Sequence, residues 1–485
     1  MLKVIDWTQG DNWQDPGTWT ISSDYGGWFH VYAFTMTLGM IFAVGYSAFK
    51  FWKKGIPVTQ LAWGVIAIIP MSLFGASIFG KLNADGPGVN ANGVGFWGLF
   101  AFWHAGMAIH GGVYIGTLTG LIVYGIMGHY TKVSLWTYMD CIIPNILLGQ
   151  GIGRWGNFFN HEVMGPPVGL AANHPLSWLP HYIQVNTQWL YRPSGPDVIN
   201  GIPFYLQSGQ VYQMAPIFLY ESIALFIAWG LITFVLPNIG KWIGPKPWKK
   251  LPKEYHLNDG QGWLNFIMPW KYTTKQLAKH QERNESYFVI WNQAFYKKLE
   301  TDQKSSYEKE LAKINHQGAS LTSRRYHSGK ALIKANNPQK YWITKVGAEA
   351  GGYFLAWNIV RFALELQRPY DHLFIMYEKT LSLVIILLTA GLGLLMMILS
   401  QNVIAWFFRQ PSKLYEKEYF EAPRIDKAYF YYLRKWLALN KTSQPKAKKS
   451  QVASKQEQIK ATKKLSKEEK ASQKLAKMQK KKTKG

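Results

Sequence analysis

The chain has 485 residues, a formal net charge of +26, 48% hydrophobic residues and a mean hydropathy of −0.11. Those averages would suit a soluble basic enzyme, but apolar, Gly- and aromatic-rich blocks of about 20 residues, enough to cross ~30 Å of hydrocarbon, alternate with intensely basic polar blocks. A wholly soluble class is excluded, and the single cysteine, Cys141, excludes an internal disulfide.

The opening stretch "MLKVIDWTQGDNWQDPGTWT" has no basic region followed by an apolar one. A cleavable signal peptide is therefore not expected, and the first membrane helix should direct insertion. Seven spans are predicted, near 29–49, 60–80, 97–128, 139–159, 216–237, 347–364 and 378–408. The third is long and Gly-rich, so it should be broken, tilted or preceded by a re-entrant piece. Cys141 falls in the fourth and reads as a small apolar helix residue.

Basic residues set the orientation. The connections after spans one, three and five and the tail from Arg409 hold 47 of the 54 Lys and Arg residues. The N-terminus is then outside and the C-terminus inside, a parity that seven spans satisfy. The expected fold is an all-α polytopic membrane protein in the plasma membrane. Residues 1–239 hold spans one to five with an outer-face arm at 166–212. Residues 240–346 form a cytoplasmic basic insertion, 347–408 hold spans six and seven, and 409–485 form a Lys-rich cytoplasmic tail, largely disordered. The tail suits anionic lipid headgroups better than nucleic acid. The arm is Pro-rich, aromatic and almost uncharged, which fits either a structured loop or a platform at the interface that receives a substrate already in the membrane.

Ionisable groups inside spans are costly and are functional candidates by default. "FHVYAFTMTLG" puts His30 and Tyr32 at the outer end of span one, where Tyr also serves as an interfacial anchor. "WHAGMAIHGGVYIG" puts His104 and His110 on span three. The glycines after His110 admit another backbone or a ligand, and a neutral imidazole there is a candidate general base. In "GQGIGRWGNFFNHEVMG", Gly149, Gly151, Gly153 and Gly156 remove bulk around Arg154, while Asn157, Asn160, His161 and Glu162 add hydrogen-bonding groups. Arg154 either binds a phosphate or carboxylate or is locked to Glu162. In "NIVRFALELQRPYD", Arg361, Glu365 and Arg368 share one helical face. Three arginines against Glu162 and Glu365 leave an excess of positive charge at headgroup depth, which points to a phospholipid phosphate.

The run "GRWGNFFNHEVMG", from Gly153 to Gly165, resembles the signature of the prolipoprotein diacylglyceryl transferases. "HVYAFTMTLG", "GMAIHGG", "PIFLYE" and "RFALELQRP" follow the same family's order. The resemblance covers the membrane core and leaves out the insertion and the tail. It implies transfer of the diacylglyceryl group of phosphatidylglycerol to the lipobox cysteine thiol of a prolipoprotein signal peptide, with release of glycerol phosphate. No metal is expected, since no His/Asp/Glu set has ligand-like spacing, no cofactor is expected, and the chain is expected to act as a monomer. Carried over, the family's positions fall on Tyr32, His110, Arg154, Asn157, Glu162, Gly165, Arg361, Glu365 and Arg368, to which the residues themselves add Asn160. This chain departs from the family pattern at Ser77 and Lys379, and in the spacing after His110.

The chemistry fits that reading. A thiol with an ordinary pKa of about 8.5 must lose its proton to attack carbon. His110 is the candidate base, with an arginine-stabilised thiolate as the alternative. Arg154 and Arg361 would meet the charge growing on the departing phosphate, while Asn157, Glu162, Glu365 and Arg368 hold them. The rival class is a transporter or channel for an anionic or lipid substrate, since intramembrane Arg and His also mark permeation paths. The absence of a visible internal repeat weighs against a secondary transporter.

Overall fold

A computed structural model describes residues 4–82, 95–102, 107–193, 199, 201–255, 263, 287–296, 301–316 and 320–420. His104 and the Lys-rich tail beyond 420 lie outside the described residues. Met1–Lys54 and Val58–Ile425 group as one compact unit, and Gly55–Pro57 with Asp426–Gly485 as a second. The described helices and sheets all belong to the first.

In chain order the principal helices are α1 (Val31–Lys54), α2 (Val58–Leu82), α3 (Ile109–Thr131), α4 (Leu135–Ile142), α5 (Ile146–Phe159) and α6 (Ile217–Gly230). They continue with α7 (Tyr287–Tyr296), α8 (Thr301–His316), α9 (Leu321–Asn336), α10 (Ala348–Glu365) and α11 (Lys379–Asn402). Among the described residues, α1, α2, α3, α11 and the helical stretch Ile217–Lys250 are long and apolar enough to cross a membrane. The protein is thus mostly helical and multi-pass. The predicted fourth and sixth spans fall on α4–α5 and α10, which carry polar site residues and miss that apolar criterion.

Local sequence explains the interruptions. The third span starts at Ile109, later than expected, after a separate turn at Gly95–Gly98. Lys81 Nζ pins that preceding stretch by donating to Gly98 O and Ala101 O, each at 2.7 Å. Pro144 lies in the 3-10 turn Ile143–Asn145 that separates α4 from α5, as expected of a residue with no N–H to donate.

The glycines of α5 line a helix–helix seam. A Cβ on Gly39 of α1 would sit 2.5 Å from Gly149 O, and one on Gly149 would sit 2.9 Å from Gly39 O. Further along, a Cβ on Gly153 would meet Met36 Sδ at 2.8 Å, and one on Gly156 would meet Thr35 Oγ1 at 2.6 Å and Tyr32 Cδ2 at 2.8 Å. A Cβ on Gly151 would meet the Phe226 ring of α6 at 3.1 Å. The space expected around Arg154 is taken by neighbouring helices, the usual use of small residues in membrane bundles. Gly111, beside His110, likewise packs on the Gly75 backbone of α2.

The arm is not a loop, and the all-α expectation must be amended to include a small sheet. Strands β1 (Trp13–Gln14), β4 (Pro167–Leu170), β5 (Gln188–Tyr191) and β6 (Val211–Met214) pair antiparallel in the order β1-β5-β6-β4. A second pair, β2 (Asp24–Tyr25) with β3 (Phe29–His30), precedes α1. Trp7, Trp13, Phe158, Met164, Tyr212 and Phe218 form a core that fastens the sheet to the ends of α5 and α6.

In the insertion, Trp248, Tyr287, Trp291 and Tyr341 form a small aromatic core. Residues 409–420 fold back on the turn before α4: Leu414 N donates to Lys132 O at 2.9 Å and Ser134 N to Leu414 O at 3.1 Å.

Candidate active site

The site residues expected from the sequence gather at the end of the bundle that bears the sheet, away from the Lys50–Glu349 pair at the opposite end. Tyr32 and His110 are the second residues of α1 and α3, and Arg154 and Asn157 lie in the last turns of α5. Glu221 is in the first turns of α6, Arg361 and Glu365 close α10, and Arg368 follows it. Helices α1, α3 and α6 start at the level where α5 and α10 end, which brings these residues together.

The carboxylate that organises the site is Glu221, which stands in "PIFLYE" and was not among the sequence-predicted site residues. Glu221 is 1% exposed. Its Oε1 lies 3.0 Å from Arg154 Nη2, and its Oε2 accepts a hydrogen bond from Arg368 Nη2 at 2.6 Å. The neighbouring Ser222 Oγ donates to Gly151 O at 2.8 Å and fixes the registry of α6 on α5. An acid in the first turns of an apolar span was the available signal; its two partners were not readable from spacing.

Two expectations are corrected here. Arg154 pairs with Glu221 rather than Glu162, whose Oε1 instead accepts from Asn160 Nδ2 at 3.4 Å. The expected excess of positive charge also disappears, because Arg154, Arg361 and Arg368 are matched by Glu162, Glu221 and Glu365. What the arginines retain is donor capacity: Nε of Arg154, Arg361 and Arg368 is buried without a hydrogen-bond acceptor among the described residues. Arg361 Nε does approach Glu365 Oε2 to 2.8 Å, but not in line for a hydrogen bond. Unspent buried donors are expensive, and guanidinium groups that carry them are suited to bind an anion.

His110 stands beside this cluster. Its ring stacks on Trp357 at 4.9 Å and meets the Phe374 ring edge-on at 4.0 Å. Trp357 is one turn before Arg361 on α10, so the imidazole faces the same helical flank as the guanidinium. Phe374 N donates to Glu365 Oε1, which joins the aromatic cage to the Arg361–Glu365 pair. His110 Nε2 is buried and has no partner among the described residues.

The remaining candidates shape the end of α5. Asn157 is buried, and its carbonyl accepts from Glu162 N at 3.0 Å. The chain reverses through positive φ at His161 (53°) and Val163 (57°), a conformation that β-branched residues strongly resist. It is held because His161 stacks on Trp19 at 3.8 Å, with Nδ1 3.0 Å from Asn186 O. His161 therefore serves the arm and not the cluster. Gly165 N donates to Ala215 O at 2.8 Å, and a Cβ there would lie 2.9 Å from Ala215 Cβ, so Gly165 lets the two strands of chain that carry Arg154 and Glu221 meet. Tyr32 packs against Gly156, which lies two residues after Arg154 and next to Asn157. Ser77 is buried with Oγ unpartnered among the described residues, and Lys379 binds Asp6 at 2.9 Å.

Residues 25–245 match the family model described as prolipoprotein diacylglyceryl transferase. The phosphatidylglycerol–prolipoprotein diacylglyceryl transferase of Malacoplasma penetrans (strain HF-2) is 34% identical over 212 residues, covering 40% of this chain and 54% of that protein. The protein of the same name from Oceanobacillus iheyensis is 29% identical over 210 residues, covering 42% and 60%. That of Halalkalibacterium halodurans is 31% identical over 215 residues, covering 43% and 62%. The chain spans about half to three-fifths of the length of these relatives. The resemblance drawn from Gly153–Gly165 is thus found again over residues 25–245. The matched range includes Tyr32, His110, Arg154 and Glu221 and ends before Arg361, Glu365 and Arg368.

Proposed function

We propose that this protein transfers the diacylglyceryl group of phosphatidylglycerol to the thiol of a lipobox cysteine in a prolipoprotein, with release of glycerol phosphate. The observation that carries the reading is the cluster of Arg154, Arg361 and Arg368 around Glu221 and Glu365, with each Nε buried without a hydrogen-bond acceptor among the described residues, and the buried His110, whose Nε2 likewise lacks a partner among them. The names of the relatives specify the same donor and acceptor.

In the proposed reaction the cysteine sulfur attacks the diacylglyceryl carbon that carries the phosphate ester. A sulfur–carbon bond forms, the carbon–oxygen bond breaks, and the electron pair leaves on the phosphate oxygen of glycerol phosphate. His110 Nε2 takes the thiol proton, or an arginine-stabilised thiolate makes that step easier. Arg154 and Arg361 donate to the phosphate oxygens, where their hydrogen bonds strengthen as charge grows in a water-poor site. Glu221, Glu365 and Arg368 hold those donors in place, and Tyr32, Asn157, Asn160, Glu162 and Gly165 shape the headgroup end.

In the same reading α4–α5 and α10 complete seven spans, with the sheet-bearing end outside the plasma membrane and the insertion 240–346 inside. The basic tail rests on anionic lipid headgroups, and the protein acts as a monomer. The test is purified protein in phosphatidylglycerol vesicles with a lipobox peptide. Thioether-linked diacylglyceryl peptide and glycerol phosphate should appear together. Absence of both ends the reading, and anion or lipid flux across the same vesicles would favour a transporter.

A further inference from the structure

The connection between α10 and α11 carries Arg368 and Phe374, and it is tied to a segment that precedes the first membrane helix. Ile5 N donates to Leu366 O at 3.1 Å, Trp7 Nε1 to Gln367 O at 2.9 Å, and Tyr370 N to Trp7 O at 2.8 Å. Asp371 accepts from Gln9 N at 3.2 Å and from Gly10 N at 3.1 Å. Asp6 Oδ1 accepts from Tyr370 OH and from Lys379 Nζ, both at 2.9 Å, and Lys379 Nζ also donates to Ile5 O at 2.9 Å.

The same segment is anchored in the sheet at its other end. It enters as β1, opposite β5 in the register Trp13↔Tyr191. Arg192 N donates to Asn12 O at 2.9 Å, and Trp7, 1% exposed, meets Trp13 edge-on at 6.3 Å. Residues 4–14 lie outside the matched range, which begins at residue 25.

We propose that residues 4–14 are a brace that sets where Arg368 and Phe374 stand in the site, with Asp6 and Asp371 as its positioning residues. The proposal rests on the transferase reading, since it assigns the brace a consequence for that reaction. The bonds at Leu366 and Gln367 and the one at Tyr370 flank Arg368, so they fix the backbone from which it reaches Glu221. Asp371 and Tyr370 do the same for Phe374, which contacts His110 and binds Glu365 through its N–H. Neither Asp6 nor Asp371 touches the cluster itself; they act through the connection. Displacing reacting groups by about 1 Å costs roughly 10²-fold in rate, so a brace remote from the chemistry controls turnover. The Lys379 hydrogen bond holds the Asp6 carboxyl below its usual range, so the link is ionised at neutral pH.

The experiment compares wild type with the double variant Asp6→Asn/Asp371→Asn and with Lys379→Met, which loosens the brace while leaving both carboxylates. Hydrogen–deuterium exchange is read over residues 366–378, with α5 and α6 as internal references, and kcat and KM are read with phosphatidylglycerol varied at saturating lipobox peptide. The brace predicts about tenfold faster exchange in 366–378 alone, and kcat lower by about tenfold or more with KM for phosphatidylglycerol within about twofold. Unchanged exchange in 366–378 in both variants overturns the brace. A loosened connection with wild-type kcat overturns its positioning role. Should wild type transfer nothing, the transferase reading falls, and the exchange measurement alone decides the brace.

Discussion

Glu221→Gln is the sharpest perturbation of the site. The carboxylate is buried between two guanidinium groups, at 3.0 Å from Arg154 and 2.6 Å from Arg368. Glutamine preserves the shape but offers one carbonyl oxygen, so it can satisfy one arginine while its NH₂ group faces the other. Breaking one half of a buried ion pair costs about 3–5 kcal/mol; retention of one acceptor puts this variant near ~3 kcal/mol. If that loss falls on the placement of the arginines proposed to bind phosphate, each ~1.4 kcal/mol is tenfold in rate, and kcat drops by about 10²-fold. The assay is diacylglyceryl transfer to a lipobox peptide in phosphatidylglycerol vesicles, with thermal unfolding confirming an intact fold. Glu221→Asp, one methylene shorter, should reach one arginine and lose about tenfold. Wild-type kcat in folded Glu221→Gln would refute the bridging role.

Other contacts carry their own expectations. Arg361→Ala, assayed by single-turnover transfer, should insert normally yet lose about 10²–10³-fold in rate; unaltered turnover would remove Arg361 from the reaction. Gly39→Ala should destabilise the α1–α5 seam by about 1–3 kcal/mol, because its Cβ meets Gly149 O at 2.5 Å, whereas Gly45→Ala on the same helix meets nothing within 4 Å. Equal unfolding temperatures for these two variants would contradict the seam. Burial pushes Lys417 down to about 8, with its Nζ 3.1 Å from Asn336 O. Its unfolded value is higher, so the unfolded chain binds more protons between about 8 and ~10.4, and stability should rise with pH across that window. Lys417→Met should be more stable than wild type at pH 7 and lack this rise, as thermal unfolding at both ends of the window would show; matching pH slopes would count against it.

The long apolar runs were legible because a membrane span is a composition and a length, and α1, α2 and α11 are where the hydropathy puts them, with α3 starting later than expected. Arg154, His110 and the Arg361–Glu365 pair were legible because charge inside a span is conspicuous. Their partners were not. Glu221 and Arg368 are separated by 147 positions, and no local periodicity links them. The glycines of α5 illustrate a second limit: small residues announce a close approach but not what approaches, which here is α1 and α6. The sheet went unforeseen because its strands are two to four residues long, too short to show an alternating pattern. The N-terminal segment was invisible as a functional element because most of its bonds to the 366–378 connection use backbone groups.

The place of the insertion has its own consequence. Helix α6 starts at the site and runs away from it, α10 returns towards it, and the more than one hundred residues between them leave and re-enter at the opposite end of the bundle. In a polymer description, each doubling of such an excursion adds only about 0.6 kcal/mol of closure entropy. The polar cluster is therefore little affected by the length of chain spliced in there, provided α6 and α10 find each other. That end of the molecule is a port at which sequence can be gained, lost or exchanged while the geometry of the cluster, and any reaction it carries, stays intact.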